Sequence, residues 1–298
     1  MVSVLAYDHA TIVVGEMERS LAFYRDFLGL ATVLDEVLSG SDMDKLFGGR
    51  GVQLRRVKLQ TDQPREPNKR FVELIQFYAP AGKPYPKDVW ACDLGFPWVG
   101  IPLKDVEALY DNQPPSFYHR FTSPPVKLGG GRAVSFCADP DGMLVELTSN
   151  DHLSRNVSDI NKALAFYRDL LGLREPPDAG AFAPTTEMDE VQRCRMWFSL
   201  PKPDVKWTNV WSESQLAARN GRLELGIWTF PKGKTFPVQN LWDVGTRWAG
   251  LQVADLTDAH REMTAKRVTF VSAPVSLTTA KVCLCRDPDG NPIELFEK

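Results

Sequence analysis

The sequence has no long apolar segment, no excess of charge of one sign and no regular cysteine pattern. No apolar run approaches the roughly 18 residues that a membrane helix needs. The first residues do not join a basic region to an apolar one, so we expect neither a membrane span nor a signal peptide. The 35 Lys and Arg residues nearly balance 38 Asp and Glu, for a net charge of −3. Nucleic acids and anionic membranes attract basic surfaces, so we expect no partner of either kind.

Cysteine and histidine are both scarce. The five Cys residues are odd in number and widely spaced, which is not typical of a disulfide framework and favours a reducing, cytoplasmic location. A chain of 298 residues can bury enough apolar surface to fold as about two domains without disulfides or a structural metal. Only four His residues are present, so any site that uses histidine has few candidates.

The chain repeats itself. Residues 20–30 read SLAFYRDFLGL and residues 163–173 read ALAFYRDLLGL, 143 positions later. His9 and His152 precede these two segments at the same distance, and each follows an Asp. A tandem duplication explains this arrangement. It predicts an N-terminal domain at residues 1–149 and a C-terminal domain at residues 150–298.

Later segments repeat as well, at a slightly larger spacing. ELIQFYAPAGKPYP (73–86) matches ELGIWTFPKGKTFP (224–237) at 151 positions, which predicts an insertion of about eight residues upstream. We place that insertion at the Trp-rich residues 207–211. Two further pairs are WVGIPLKD (98–105) with WAGLQVAD (248–255) and CADPDGMLVEL (137–147) with CRDPDGNPIEL (285–295).

Each half divides again into two units of strand, helix and further strands. The first unit is predicted to have strands at 9–14, 52–59 and 71–77 and a helix at 17–27, and the second to have strands at 98–103, 133–138 and 143–148 and a helix at 106–110. Asp-Pro-Asp-Gly at 139–142 is typical of a tight turn between two strands. Four such units predict an α+β protein built from βαβββ modules.

These motifs resemble the vicinal oxygen chelate superfamily, which includes glyoxalase I, extradiol dioxygenases and fosfomycin-resistance proteins. The resemblance covers nearly the whole chain and implies that paired modules curl into two half-open β-barrels, each able to hold one metal ion. Module 1 could pair with module 2 and module 3 with module 4, or module 1 with 4 and module 2 with 3. Both arrangements supply the same types of ligand.

The superfamily places its metal ligands on the first strand and a late strand of each module. The resemblance implies these positions here: His9, Glu73, Trp98 and Glu146 in the first half, and His152, Glu224, Trp248 and Glu294 in the second. We expect a divalent metal (Zn, Mn, Fe(II), Ni or Co) near His9/Glu73/Glu146 or near His152/Glu224/Glu294, with "no metal" as the alternative. The two Trp residues depart from the superfamily pattern, because an indole offers no lone pair to a metal.

Each candidate also has a purely structural interpretation. A single His on a strand is usually packed, and a strand Glu usually faces solvent. Their recurrence at equivalent places favours a site, because an inward carboxylate is costly unless it is paired, protonated or metal-bound. We assign Glu73 and Glu146 as catalytic carboxylates. We expect Trp98, Trp248 and Arg56 to line the substrate pocket.

Three functions are consistent with these residues. The first is a metal-dependent isomerase, epimerase or lyase of glyoxalase type, which moves a proton on a small apolar or aromatic carbonyl compound. The second is an extradiol-type dioxygenase, against which the missing second His argues. The third is a metal-free protein that binds a small molecule. We expect a monomer or homodimer with unequal halves, the first half's ligands forming the working set.

Overall fold

The computed structural model describes residues 2–60, 71–122, 124–128, 132–148, 152–176, 204–218, 221–235 and 240–298. These residues form two curled, half-barrel sheets with short helices packed on them. The predicted α+β class with half-open barrels is therefore confirmed. No helix in these ranges combines the length and the apolar character needed to cross a membrane.

The eight-stranded sheet combines the first and the last quarter of the chain. Its strands are β1 (Val4–Val13), β2 (Ala31–Ser39), β3 (Gln53–Gln60), β4 (Phe71–Ala79), β12 (Arg247–Val253), β13 (Val275–Ser276), β14 (Lys281–Arg286) and β15 (Pro292–Glu297). Their order across the sheet is β13-β14-β15-β12-β1-β4-β3-β2. The antiparallel pair of β1 and β12 joins the two quarters at the centre.

The seven-stranded sheet combines the second and third quarters. Its strands are β5 (Trp98–Pro102), β6 (Val126–Leu128), β7 (Arg132–Ala138), β8 (Leu144–Thr148), β9 (His152–Asn156), β10 (Asp204–Val210) and β11 (Arg222–Phe230). Their order is β10-β11-β9-β5-β8-β7-β6, with β5 and β9 antiparallel at the centre. Module 1 thus pairs with module 4, and module 2 with module 3. The predicted domain boundary near residue 150 lies outside the described residues and stays a prediction.

Short helices connect the strands. They are α1 (Met17–Leu21), α2 (Ser41–Phe47), α3 (Val106–Asp111), α4 (Ile160–Leu164), α5 (Glu213–Ala218) and α6 (Leu256–Ala265), and π-helical turns at Ala22–Phe27 and Ala165–Leu170 extend α1 and α4. The side chains of Asp105 and Asp255 accept backbone N–H groups at the starts of α3 and α6. Such caps satisfy donors that have no partner within the helix.

The repeated AFYRD and DPDG segments bind each other within each half. Tyr24 donates its hydroxyl hydrogen to the buried Asp139 at 3.0 Å, and Tyr167 does the same to Asp287 at 2.9 Å. Tyr24 lies beside the first sheet's strands and Asp139 beside the second's, so these bonds connect the two sheets. The strongest repeats of the sequence therefore build the scaffold.

Strand register corrects the predicted insertion at residues 207–211. Lys58 lies opposite Glu73 on β3 and β4, and Asn209 lies opposite Glu224 on β10 and β11. These pairs differ by the same 151 positions, so Trp207 occupies the place of Arg56. Residues 207–210 thus form a regular repeat-equivalent strand, and the extra residues lie upstream of β10.

Candidate functional site

Three predicted ligands meet inside the first sheet, and we call His9, Glu73 and Glu294 the His9 site. His9 on β1 lies opposite Gly250 on β12, and Gly250 lies opposite Glu294 on β15. The Nε2 atom of His9 is 3.8 Å from Glu73 Oε1 and 3.6 Å from Glu294 Oε1. One ligand atom from each residue lies within 4.8 Å of the others.

Gly250 makes room for the imidazole. A Cβ atom at this position would lie 2.1 Å from the ring of His9, closer than any real contact. The glycine therefore lets the ring lie flat across β12 and reach the carboxylates of both neighbouring strands. The corresponding Gly100 does the same for His152, where the distance would be 2.3 Å. The repeated Trp-x-Gly sequence is the signal that could have identified both glycines.

One nitrogen of His9 is held and the other has no hydrogen-bond partner. Nδ1 donates to Asp8 Oδ2 at 3.0 Å, and Lys298 Nζ lies 3.0 Å from the other oxygen of Asp8. Nε2 is buried and has no hydrogen-bond partner among the described residues. A histidine held in this way through Nδ1 can offer its Nε2 lone pair to a metal.

The donor set of the His9 site fits a divalent ion. Ions bound at about 2.0–2.2 Å by nitrogen and oxygen place their ligand atoms about 3–3.5 Å apart. The observed separations of 3.6 and 3.8 Å from Nε2 are close to that range. One imidazole and two carboxylates are ligands that such ions accept.

The two carboxylates of the His9 site have different neighbours. Glu73 accepts a hydrogen bond from Thr11 at 3.1 Å, and its Oε2 lies 3.3 Å from Lys58 and 3.9 Å from Arg56. Burial would raise the pKa of Glu73, but the charges of Lys58, His9 and Arg56 outweigh it and lower that pKa to about 2. Glu73 is a strongly stabilised anion.

Glu294 accepts a hydrogen bond from an aromatic residue instead. The Nε1 atom of Trp248 donates to Glu294 Oε2 at 3.2 Å, and the indole is completely buried. Trp248 also packs 6.5 Å from Phe47, measured between ring centroids. At the place where the resemblance implies a fourth ligand, the chain thus has a group that orients one of the other three.

An enclosed pocket adjoins the two carboxylates. Its apolar walls come from β2, β3, β4, β14, the helix α2 and a residue that precedes β14: Leu38, Met43, Leu46, Phe47, Leu54, Ile75, Leu277 and Val282. Its polar lining is Arg56, Glu73 and Glu294.

The equivalent residues meet in the second sheet, and we call His152, Glu146 and Glu224 the His152 site. His152 Nε2 donates to Glu146 Oε2 at 3.0 Å and lies 3.5 Å from Glu224 Oε2. Burial would lower the pKa of His152, but the two carboxylates raise it. Nε2 of His152 is therefore hydrogen-bonded to a carboxylate, whereas Nε2 of His9 has no hydrogen-bond partner among the described residues.

Other polar and aromatic groups surround the His152 site. Glu224 accepts hydrogen bonds from Ser154 at 2.8 Å and from Arg222. Burial would raise the pKa of Glu224, but His152 and Arg222 lower it to about 2. Trp207 fills the interior next to Trp98, with ring centroids 5.6 Å apart, and its ring lies directly over Gly226.

Comparison with known proteins identifies the family. The model of the Glyoxalase/Bleomycin resistance protein/Dioxygenase superfamily matches residues 6–147 and again residues 149–295. The chain belongs to this superfamily. The two matches cover the two sequence halves, and the recognition made from the repeated motifs is confirmed.

Individual members of the superfamily share only low sequence identity with this chain. Lactoylglutathione lyase GLX1 of Arabidopsis thaliana is 25% identical over 174 residues, which is 56% of this chain and 54% of that protein. The chain therefore spans about half the length of this curated relative. Glyoxalase I from Zea mays is 17% identical, with a TM-score of 0.62 over 100% of this chain and 92% of that chain. A candidate dioxygenase from Bacillus subtilis is 12% identical, with a TM-score of 0.60 over 100% and 86%. The two structural likenesses show the fold alone.

The observed pairing of modules in the two sheets changes the predicted ligand groups. We expected Glu146 beside His9 and Glu73, and Glu294 beside His152 and Glu224. This grouping was wrong, because the first sheet joins modules 1 and 4 and so brings Glu294 to His9. Glu146, predicted as catalytic with Glu73, lies at His152 instead.

The two Trp positions of this superfamily member also differ from the prediction. Trp98 and Trp248 both lie inside the barrels, but neither lines the enclosed pocket beside Glu73 and Glu294. Trp248 contacts Glu294, and Trp98 packs against Phe136 and Trp207. Sequence reasoning missed Lys58, although its alternation with Arg56 on one strand was a visible signal.

Proposed function

We propose that the His9 site holds one divalent metal ion and that the protein is a glyoxalase-type isomerase or lyase. Its substrate would be a small apolar or aromatic carbonyl compound. The observation that carries the proposal is the buried Nε2 of His9, which has no hydrogen-bond partner among the described residues and faces two carboxylate oxygens at 3.6 and 3.8 Å. A buried polar atom of this kind needs a partner, and a metal supplies one.

His9, Glu73 and Glu294 would hold the ion, with Zn, Mn, Fe(II), Ni and Co as candidates. When bound, such an ion would polarise the substrate's carbonyl oxygen and make the neighbouring C–H group more acidic. Asp8 keeps the Nδ1 proton of His9 in place, so that Nε2 faces the site. Glu73 stays ionised because Lys58 and Arg56 lie beside it.

Glu294 is the carboxylate best suited to take the proton from carbon. It lines the pocket, and the cations beside Glu73 lower the pKa of Glu73 and make that carboxylate a weak base. The N–H of Trp248 holds one oxygen of Glu294 and leaves the other, Oε1, on the side of His9. The proton would move from the substrate carbon to Glu294 and return to a neighbouring atom of the substrate.

The pocket determines the class of substrate. Its walls are aliphatic or aromatic, which favours a substrate with a small apolar or aromatic group beside the carbonyl. Apolar walls also keep water away from the carbon that loses its proton. The lactoylglutathione lyase reaction, named for the Arabidopsis relative, is one reaction to assay among others.

The test is metal-dependent proton exchange. Chelator-treated protein is reloaded with each candidate metal, and exchange of the C–H hydrogen next to a carbonyl is followed in D₂O by NMR for a panel of small carbonyl compounds. We expect exchange with at least one metal and none without it. Loss of exchange in Glu294→Gln with metal still bound supports the assigned base. No exchange with any metal contradicts the proposal.

Metal-free binding of a small molecule is the second candidate. Lys58, 3.3 Å from Glu73, and Trp248, 3.2 Å from Glu294, already partner the two carboxylates without an ion. A protein of this type would bind an apolar ligand equally well before and after chelator treatment. Ligand binding, measured before and after chelator treatment and with each candidate metal added back, distinguishes this candidate from the first.

A further inference from the structure

A second cleft lies between the two halves of the chain. Its cavity volume is about 100 Å³, and it is lined by parts of residues 89–97, 245–247 and 286–292, together with Thr235. Arg247 lines it from β12. The next residue, Trp248, points to Glu294, and neighbouring strand residues point to opposite faces. The cleft is therefore separate from the His9 site.

Arg247 is buried without a carboxylate partner. Its residue exposure is 5%, and it donates to the carbonyl oxygen of Pro97 at 3.0 Å and to the hydroxyl of Tyr85 at 3.4 Å. Its Nε has no acceptor among the described residues. No described residue places a carboxylate oxygen within 4.0 Å of its guanidinium. Buried Asp139 interacts with this guanidinium at longer range, but no described carboxylate contacts it directly.

A second arginine in the cleft also has no contacting carboxylate among the described residues. Arg286 donates to the carbonyl oxygen of Gly290 at 2.6 Å. In the described parts of the chain, no carboxylate oxygen lies within 4.0 Å of it either. Within those parts, both arginines of the cleft thus bond to neutral oxygens.

The carboxylates of the cleft have other partners. Asp93 accepts backbone N–H groups of Trp90 and Lys234, both at 2.8 Å. Asp289 accepts hydrogen bonds from Ser158 and lies 3.4 Å from Arg155. These acids fasten loops together, and neither forms an ion pair with Arg247 or Arg286.

The cleft also offers apolar surface. Trp90 is 58% exposed at its edge, and Phe96, Pro97 and Pro292 contribute further apolar atoms. An exposed indole beside these two arginines suits a ligand that is flat and apolar at one end and anionic at the other.

We propose that this cleft binds a small organic carboxylate with a flat apolar body. Its carboxylate pairs with Arg247 and Arg286, and its body packs against Trp90. Because Asp93 and Asp289 are bonded to other groups, the ligand's carboxylate is the anion that partners these two guanidinium groups. This site is independent of the function assigned to the His9 site.

Benzoate is the probe for this proposal. Its binding is measured by titration calorimetry and by tryptophan fluorescence in the full-length wild type and in Arg286→Met, Arg247→Met and Trp90→Phe. Arg261→Met is the matched control, because Arg261 is an exposed helix arginine that pairs with Asp258. Circular dichroism checks that each variant is folded.

We expect saturable binding by the wild type and by Arg261→Met. Arg286→Met should bind about tenfold more weakly, the loss of one charge-assisted hydrogen bond. Arg247→Met should show no measurable binding, and Trp90→Phe should lose most of the fluorescence change. If Arg247→Met does not fold, Arg286→Met alone decides.

Three results would overturn the proposal. The first is a wild type that does not saturate with benzoate, and the second is an Arg286→Met variant that binds like the wild type. The third is benzoate binding that disappears in Glu294→Gln and persists in a folded Arg247→Met, which would assign the ligand to the His9 site instead.

Discussion

The His9 site and the His152 site contain the same three residue types at repeat-equivalent positions. They differ in how the histidine is bonded. Nδ1 of His9 donates to Asp8 and its Nε2 has no hydrogen-bond partner among the described residues, whereas Nε2 of His152 donates to Glu146 at 3.0 Å. A metal ion at Nε2 of His152 would have to displace this hydrogen bond, whereas none has to be broken at Nε2 of His9. The same set of ligands can therefore form a metal site in one barrel and a closed ion pair in the other.

The neighbouring strands, β3 beside the His9 site and β10 beside the His152 site, also carry different residues. Arg56 and Lys58 face the His9 site from β3, and the equivalent residues on β10 are Trp207 and Asn209. Beside the His9 site there is a pocket, whereas the ring of Trp207 packs against Trp98 in the other barrel. The duplication kept the ligands, and the residues around them diverged. We therefore propose that the His9 site is the working site.

The largest expected difference concerns the assigned base. Glu294→Gln should lower kcat by roughly 10²–10⁴-fold, the usual contribution of general acid–base catalysis. Glu146→Gln, its equivalent in the His152 site, should lower kcat by less than about threefold, since the proposed function gives that site no role in turnover. Equal losses in the two variants would mean two working sites.

The pH dependence of metal binding is the next effect. Burial and Lys58 would lower the pKa of His9, but Glu294, Glu73 and Asp8 raise it to about 9. Below that pH a proton competes with the metal, so the apparent affinity should fall about tenfold per pH unit. Calorimetric titration between pH 7 and 9 measures this slope, and a flat profile would exclude His9 as a ligand.

The same proton on His9, which weakens metal binding, stabilises the folded protein when no metal is bound. A folded-state pKa above the ordinary value of 6.5 adds stability that is complete below 6.5 and lost as pH rises through about 9. Urea unfolding of the metal-free wild type should show this decline. His9→Gln should show a smaller decline, since the contribution of His9 is then absent while that of His152, whose pKa is also raised, remains.

Gly250 and Gly100, which make room for the two imidazole rings, allow a further comparison of the two sites. An added methyl group at Gly250 or Gly100 collides with the ring of His9 or His152. Both Gly→Ala variants should lose about 1–3 kcal/mol of stability, as overpacking usually costs. Only Gly250→Ala should also weaken metal binding, by about tenfold, because only His9 is proposed as a ligand. Thermal melts and metal titrations of the two variants, made side by side, provide the check.

The smallest effect is expected at the two Trp residues. Trp248→Phe removes the hydrogen bond to Glu294, and a loss of about 0.5–1.5 kcal/mol should lower kcat by about two- to tenfold. Trp98→Phe should leave kcat unchanged. A Trp248→Phe variant with full kcat would show that the indole only fills space.

Much of the fold could be predicted from the sequence. The helix predicted at 17–27 matches α1 and its π-helical extension, and the strands predicted at 98–103 and 143–148 match β5 and β8 within one residue. The edge strand β2 was missed, because most of its residues are exposed and its pattern has no buried stripe. The sheet order stayed open, because repeats supply the same residue types to either pairing.

The ligands could be predicted, but their grouping could not. Repeat-equivalent Glu146 and Glu294 are indistinguishable by type, and only the pairing of β12 with β1 brings Glu294 to His9. Contacts across long sequence separations, such as Trp248 with Glu294 and Lys58 with Glu73, depend on strand register. Register is set by packing of the whole sheet.

Metal content per chain tests the central claim most directly. Protein purified without chelator is measured by inductively coupled plasma mass spectrometry as wild type, His9→Ala and His152→Ala, with circular dichroism to verify the fold. The assignment of the working site to His9 predicts one divalent ion per chain in the wild type and in His152→Ala, and almost none in His9→Ala. Loss of metal in His152→Ala with retention in His9→Ala would contradict it.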